Sequence, residues 1–523
     1  MTTPELPFTQ RASAVLRRRD VRLVGWVVLA LSSVVILGVM RFDLVLRANT
    51  PTGGDMGSHV LIPAYLRDSL LPVGRVIGWS NDWYAGFPIL YFYFPLPAFT
   101  IVLLDVVLPY GVAFKMVTVA GLASMPFSAY YFVRSMGLSR PVALVGGLNG
   151  AMFIFMESFT IFGGNTLSTL AGEYSFSWSF SLSLVYLGMI IRNTRQGRGF
   201  TVGPAVLLAL TALSHLITTM VVVVASLPLL FRRKGTPAVV GSWGVGFAIA
   251  AFWAMPVIVR TLGGFTTDMR WHAVRGIENV FPRELWPMVL LAVVGLAWAI
   301  ARKATVGPLM MLLVVPVAGY YVIEFIDFRK LYNARLLAYW YFGVYLLAGI
   351  LIGLLVTAVA RRVSARPAAL WVAAALAGVF VVTSAGLGVN KAPGWARWNY
   401  LGYEAKDSWP EYQALMEELD RLPEGRVMWE ANRDLNKYGT PMALMLTGYW
   451  SEGHPSMEGL LFESSITTPY HFLNAAEVSQ RPSNPIPGLN YHQMDFRRAD
   501  RHLRLFNVAY YVSFTEEATT AAA

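Results

Sequence analysis

One acid in this sequence stands where a proton-accepting group at a membrane surface would be wanted. Asp55 lies in Gly53-Gly54-Asp55-Met56-Gly57-Ser58-His59, just past the first long apolar run. His59 follows four residues later, one helical turn away. A carboxylate in a glycine turn can take a proton from a hydroxyl acceptor. The same residue also suits the N-cap of a helix starting at Met56.

Other residue types suggest binding. Asp82, Trp83 and Tyr84 open an aromatic run that continues through Phe87, Tyr91, Phe92, Tyr93 and Phe94, and they are candidates for substrate contact. Arg329, Lys330 and Arg335 form a basic group on what the loop charges make the outer side. Guanidinium groups make paired hydrogen bonds with phosphate oxygens, so a lipid phosphate is one partner. Pairing with Glu324 and Asp327 is the other reading. His215 interrupts the apolar stretch 203–231 and is either functional at membrane depth or a turn residue near the surface. Asp268, Arg270, His272 and Arg275 suit a substrate entrance or a solvated loop. Trp450, His454, Glu458, Glu463, Tyr470 and His471 suit sugar contact or an ordinary packed surface.

These residues hang on a strongly apolar chain. Of 523 residues, 55% are hydrophobic and 14% charged, and the charges thicken after Asn390. Long apolar runs with few charges predict spanning helices. The net charge of +11 is spread in short clusters between those runs. That spread fits topology signals and argues against nucleic acid as a partner. There are no cysteines, which excludes disulfides, thiolate metal sites and cysteine nucleophiles. The seven histidines are scattered and form no ligand-spaced cluster, so the residues assign no metal site.

The basic clusters at Arg17, Arg18 and Arg19, then 134–140, 192–198, 232–234, 302–303 and 361–366, are expected on the cytoplasmic side. They give about eleven transmembrane helices. The spans are 21–41 (a retained signal anchor), 112–133, 141–162, 175–192, two short passes within 203–231, 237–260, 286–301, 305–325, 336–360 and 368–388. The segment 95–110 is too short to span comfortably and is placed as a re-entrant or interfacial helix of a long outer loop, 42–111. The expected organisation is a transmembrane domain, 1–389, and an extracytoplasmic C-terminal α/β domain, 390–523. The latter has an amphipathic helix at 408–421, strands at 426–429, 442–447 and 508–514, and a disordered tail at 515–523. The setting is a plasma (inner) membrane, with the N-terminus cytoplasmic.

An acid just after a retained first helix, a long outer loop with a membrane-hugging helix, and a second outer loop ending in an acid resemble the GT-C superfamily. These are polytopic glycosyltransferases that use polyprenyl-phosphate sugars. The resemblance implies Asp55 as catalytic base, with Glu173 and His59 assisting. Met56 stands where better-known members carry a second acid. Segments 54–59, 82–88, 168–173, 331–335 and 459–472 also resemble actinobacterial-looking membrane proteins labelled as related to 6-pyruvoyl-tetrahydropterin synthase. The implied activity is transfer of a sugar from a polyprenyl-phosphate donor to a cell-envelope glycan, lipid or protein. Arg329, Lys330 and Arg335 would hold the lipid phosphate. The cofactor stays open, a divalent cation being what the resemblance allows. Two alternatives stand beside this: a non-catalytic protein binding a glycan or lipid carrier, and a lipid or glycan transporter. No internal repeat is visible, which weighs against the transporter.

Overall fold

The computed structural model describes residues 8–264, 271, 273–326, 331–364 and 366–523, with side chains from Leu23 onward, Pro367 aside. Seven of the described helices are long and apolar enough to cross a membrane. These are Tyr110–Ser135, Thr166–Arg195, Gly235–Leu262, Arg283–Ala301, Gly307–Phe325, Asn333–Val363 and Ala368–Leu387. The chain is a multi-pass membrane protein. Five shorter apolar helices accompany these, and the eleven spans expected from the loop charges require four of them. One helix expected at 141–162 ends early: Arg140–Ala151 gives way to a tight turn at Met152–Phe155.

The spans divide by position. Thr166–Arg195 and Tyr110–Ser135 are largely buried, whereas Ala368–Leu387 and Gly235–Leu262 expose most of their surface. Leu376, Phe380 and Leu387 are more than half exposed. Apolar faces of that extent belong against lipid. Glycines let the inner helices touch: a Cβ on Gly121 would lie 2.5 Å from the Ser177 backbone, and one on Gly147 2.5 Å from that of Tyr130.

Short helices shape the ground above the bundle. Pro95–Asp105 is a helix of 11 residues, too short to span, that packs beside Tyr110–Ser135. Val202–Ala212 runs alongside Gly235–Leu262, with Ala205 and Leu208 against Gly246 and Ala209 beside Ala250 and Trp253. Leu216–Ser226 returns, and the chain comes back to Gly235 at Leu229. His215 therefore lies at a hairpin tip.

Past residue 390 the amphipathic helix forms at Trp409–Leu419, with Tyr412, Met416 and Leu419 buried. Strands Arg426–Trp429 and Val508–Val512 pair in parallel and make a two-stranded sheet, the only one among the described residues. The strand expected at 442–447 is instead a 3-10 turn, Ala443–Leu446, fully buried after Pro441. The tail is also different: Glu516–Ala522 is a helix capped by Thr515, whose Oγ1 accepts from Ala518 N. Glu430 accepts from the Phe514 and Thr515 N–H groups at 2.8 Å and fixes that cap. The C-terminal portion is thus mainly helices and turns around a minimal sheet. Its core is not closed off: Tyr400, Tyr403, Tyr412 and Leu444 join the same apolar cluster as Met56, Leu170 and the buried spans.

Candidate active site

The turn bearing Asp55 is built by close approach. Gly53 and Gly54 both have positive φ, and a Cβ on Gly53 would fall 1.7 Å from Asn399 Oδ1. Asn399 Nδ2 donates to Leu170 O at 2.8 Å, and Thr52 N donates to Asn399 O. One helix, Ala392–Leu401, so ties the Asp55 turn to the Glu173 segment. That helix is itself anchored by Glu157, whose carboxylate accepts from the N–H groups of Asn390, Lys391 and Ala392. Gly172 brings the two acids together: its φ is 124°, and a Cβ there would lie 2.9 Å from the Asp55 Cβ. Asp55 is not an N-cap, because it lies inside the helix Gly54–Ser58 and makes no capping bond.

Asp55 and Glu173 open on one cavity of about 230 Å³. His59, His215 and Arg335 line it too. Five candidate residues from four separated segments thus converge. Arg335 pairs with Glu173 through a guanidinium–carboxylate hydrogen bond. Its ring neighbours are Trp271 at 5.7 Å and Tyr332 at 5.9 Å. Its Nε is buried and has no partner. Arg335 is therefore not spent on Glu324, which Arg275 takes at 2.5 Å.

The cavity controls charge. Asp55 is exposed by surface area because it borders the cavity, yet protein encloses that space. The protein packed around it governs its ionisation. Burial pushes its carboxyl up to about 7, and the Glu173 and Glu463 charges add to this while Arg335 opposes them. His59 is 3% exposed, and burial pulls its imidazole down to about 3. It is neutral at physiological pH and acts as a hydrogen-bonding group. Its Nε2 lies 3.4 Å from Tyr93 OH and its Nδ1 is unpartnered. His215 is equally buried, packed on Phe94 and Phe176, with Nδ1 unpartnered.

Asp82, Trp83 and Tyr84 do not line the cavity. Trp83 and Tyr84 are fully buried. Trp83 Nε1 donates to Met445 O at 2.9 Å, Tyr84 OH donates to Gly459 O and Leu460 O, and Asp82 O accepts from Ser456 N. They fasten the loop to the C-terminal portion and stand apart from this cavity. Arg329 and Lys330, with Asp268, Arg270, His272 and Asp327, lie outside the described residues. In the terminal run His454 is satisfied by Ser451 and Pro423, Trp450 packs on Tyr403 and Trp409, and Tyr470 is exposed. Glu458 and Glu463 alone of that run border the cavity. Both are site residues the sequence did not single out as acids of the Asp55 site. The sequence marked both only as members of a polar, aromatic run suited to sugar contact.

The divalent cation that the resemblance allows was weighed against this donor set. Among the described residues no three histidine or carboxylate groups converge as ligands, and Glu173 is already held by Arg335. The residues do not fit such an ion.

No family model and no curated protein matches the chain. Solved structures do. The oligosaccharyltransferase of Archaeoglobus fulgidus, tethered to an acceptor peptide, is similar over 93% of this chain and 68% of that one, with TM-score 0.53 and 11% identity. Its apo form gives TM-score 0.53 and 12% identity over 93% and 69%. ArnT from Cupriavidus metallidurans in the apo state is 15% identical over 83% and 88%, with TM-score 0.44. The relation to proteins labelled 6-pyruvoyl-tetrahydropterin synthase-related finds no support in these comparisons. At 11–12% identity the likeness to the oligosaccharyltransferase is one of fold alone.

Proposed function

We propose that this protein is a membrane glycosyltransferase that moves a sugar from a polyprenyl-phosphate donor to a hydroxyl acceptor of the cell envelope, on the outer face of the membrane. The observation that carries this reading is the convergence of Asp55, open to the cavity, with Arg335, whose Nε has no partner. Asp55 takes the acceptor proton as the acceptor oxygen bonds to the anomeric carbon. The bond from that carbon to the phosphate oxygen breaks, and polyprenyl phosphate leaves with the electron pair. Arg335 holds the leaving phosphate by charge-assisted hydrogen bonds, with Glu173 fixing the guanidinium. His59 and His215, both neutral hydrogen-bonding groups in this scheme, orient sugar hydroxyls. The enclosed volume is below the usual range for drug-sized ligands, which favours a single sugar over an oligosaccharide.

The topology belongs to the same proposal. With the N-terminus cytoplasmic and eleven crossings, the cavity and residues 390–523 face outward. Activated nucleotide sugars are absent there, and a lipid-linked donor is the available kind. The test is mass spectrometry of lipids copurifying with the protein and with its Asp55→Asn form. A polyprenyl-phosphate sugar retained by the variant, and turned over by the parent protein with release of polyprenyl phosphate, is the expected result. Absence of such a lipid from both forms, with no turnover of an added polyprenyl-phosphate sugar, sinks the reading.

A further inference from the structure

The cavity is roofed by the C-terminal portion. Met442, Met445, Glu458, Gly459, Leu460, Leu461, Phe462 and Glu463 all border it, and the last five form one turn. Leu461 has φ 57°, a left-handed backbone that a branched side chain adopts only when its surroundings compel it. The compelling groups are visible. Tyr84 OH bonds to Gly459 O and Leu460 O. A Cβ on Gly459 would lie 2.5 Å from the Trp83 ring, so that the indole is pressed against the bare backbone. Ser465 and Thr467 both donate to Gly86 O at 3.3 Å and hold the far side of the turn.

What this strained turn delivers is Glu463. Apart from Asp55, the other carboxylates of the cavity have company: Glu173 is paired with Arg335, and Glu458 faces His471 at 3.7 Å. Among the described residues, no side chain lies within ion-pair or hydrogen-bond distance of Glu463. Other charged or titratable groups bordering the cavity with Asp55 are Glu173, Arg335, His59, Tyr93, His215 and Glu458, with Tyr84 behind the Glu463 turn. We propose that Glu463 is a positioning residue of the Asp55 site: its carboxylate, brought in on a strained turn of the C-terminal portion, adds negative charge to the cavity beside Glu173 and helps ready Asp55 as the base. A second negative charge in a confined space makes each carboxylate bind its proton more tightly. Burial raises the Glu463 carboxyl as well, against its own backbone hydrogen bond and the charge of Arg335. The proposal rests on the reading of Asp55 as a base, but its test needs no sugar donor.

The test uses the full chain in lipid nanodiscs and dicyclohexylcarbodiimide, which modifies protonated carboxyls. Peptide mapping by mass spectrometry reads modification of Asp55 as a function of pH. In the parent protein, modification should fall away with a midpoint near pH 7. Glu463→Gln should move that midpoint down by about one pH unit. Glu458→Gln, on the same cavity wall, should leave it in place. Tyr84→Phe, which keeps every carboxylate and loosens the turn, should move it in the same direction by less, and it serves if Glu463→Gln does not fold. An unmoved midpoint in Glu463→Gln, an equal movement in Glu458→Gln, or no modification of Asp55 at any pH overturns the proposal. Failure of the donor reading would show in the lipid analysis and leave these midpoints untouched.

Discussion

The 42–111 loop contains two turns that look alike in sequence and do opposite things. One carries Asp55 between glycines, and the other carries Asp82 between aromatics and Gly86. The Asp55 turn is held from below and behind, by Asn399 and Gly172, so its carboxylate has nowhere to bond and faces the cavity. The Asp82 turn is gripped by its side chains: Ser80 Oγ donates to the Asp82 carboxylate at 3.0 Å, and Trp83 and Tyr84 bond into the C-terminal portion. Backbone support leaves a side chain free for chemistry, whereas side-chain support consumes it.

Removing the two acids should break the comparison most sharply. Asp55→Asn should lower sugar transfer by roughly 10²–10⁴-fold, the span for loss of a general base. Asp82→Asn should leave the rate per folded molecule unchanged. Because Asp55 titrates near 7, transfer should rise with pH through that point. Stability should do the reverse. The folded state binds the Asp55 proton more tightly than the unfolded chain, whose carboxyl titrates at its ordinary value. The stabilisation is therefore complete below the unfolded value and is lost as pH rises through about 7. Asp55→Asn should consequently melt higher than the parent above pH 7, with the gap closing in acid. A pH-independent gap would mean that Asp55 does not carry this strain.

The next largest effect belongs to the other turn. Trp83→Ala should cost about 3–5 kcal/mol of stability, because the indole is fully buried and fills the space against Gly459. Thermal unfolding in nanodiscs would read this as a large drop in midpoint. A small drop would show that the loop and the C-terminal portion are fastened elsewhere.

How far the sequence foretold this division depends on what holds each residue. Hydropathy placed the long helices to within a few residues, as for Trp286–Ala301, because each carries its own apolar length. Strand Arg426–Trp429 was equally legible. The helix at Glu516–Ala522 was not read, although Thr515 caps it locally, and Glu430 holds that cap from 85 residues away. The site shows the same limit. Asp55, Arg335, His59 and His215 stood out as polar residues beside apolar runs, and Glu173 through the resemblance. Asp82 and Tyr84 carried the same signal, and only the remote Gly459, Leu460 and Ser456 tell them apart. Glu463 was invisible as a neighbour of Asp55 because nothing local joins positions about 400 residues apart.

Arg335 sharpens the same contrast at a smaller scale. Arg335→Lys keeps the charge but loses the planar pair of donors that Glu173 fixes. A charge-assisted hydrogen bond is worth about 1.5–3 kcal/mol, so kcat/KM for a polyprenyl-phosphate donor should fall by roughly 10- to 100-fold. Arg275→Lys, whose parent side chain is mostly exposed at Glu324, should have no such effect. Equal losses from both would remove the phosphate role from Arg335.

Two tyrosines of the loop give the finest test. Tyr84 OH is fully committed to the carbonyls of Gly459 and Leu460, while Tyr93 OH borders the cavity and makes only long contacts to His59 and Ser175. Tyr84→Phe leaves two buried carbonyls short of a donor and should cost about 1 kcal/mol, or somewhat more, of stability. Tyr93→Phe should barely change stability, since its hydroxyl has little to lose, and should instead raise KM for the sugar donor. If Tyr93→Phe destabilises as much as Tyr84→Phe, its hydroxyl is part of the scaffold and the cavity has one fewer group to offer a sugar. If Tyr84→Phe raises KM with no loss of stability, the boundary between scaffold and site runs through the Asp82 turn and not beside it.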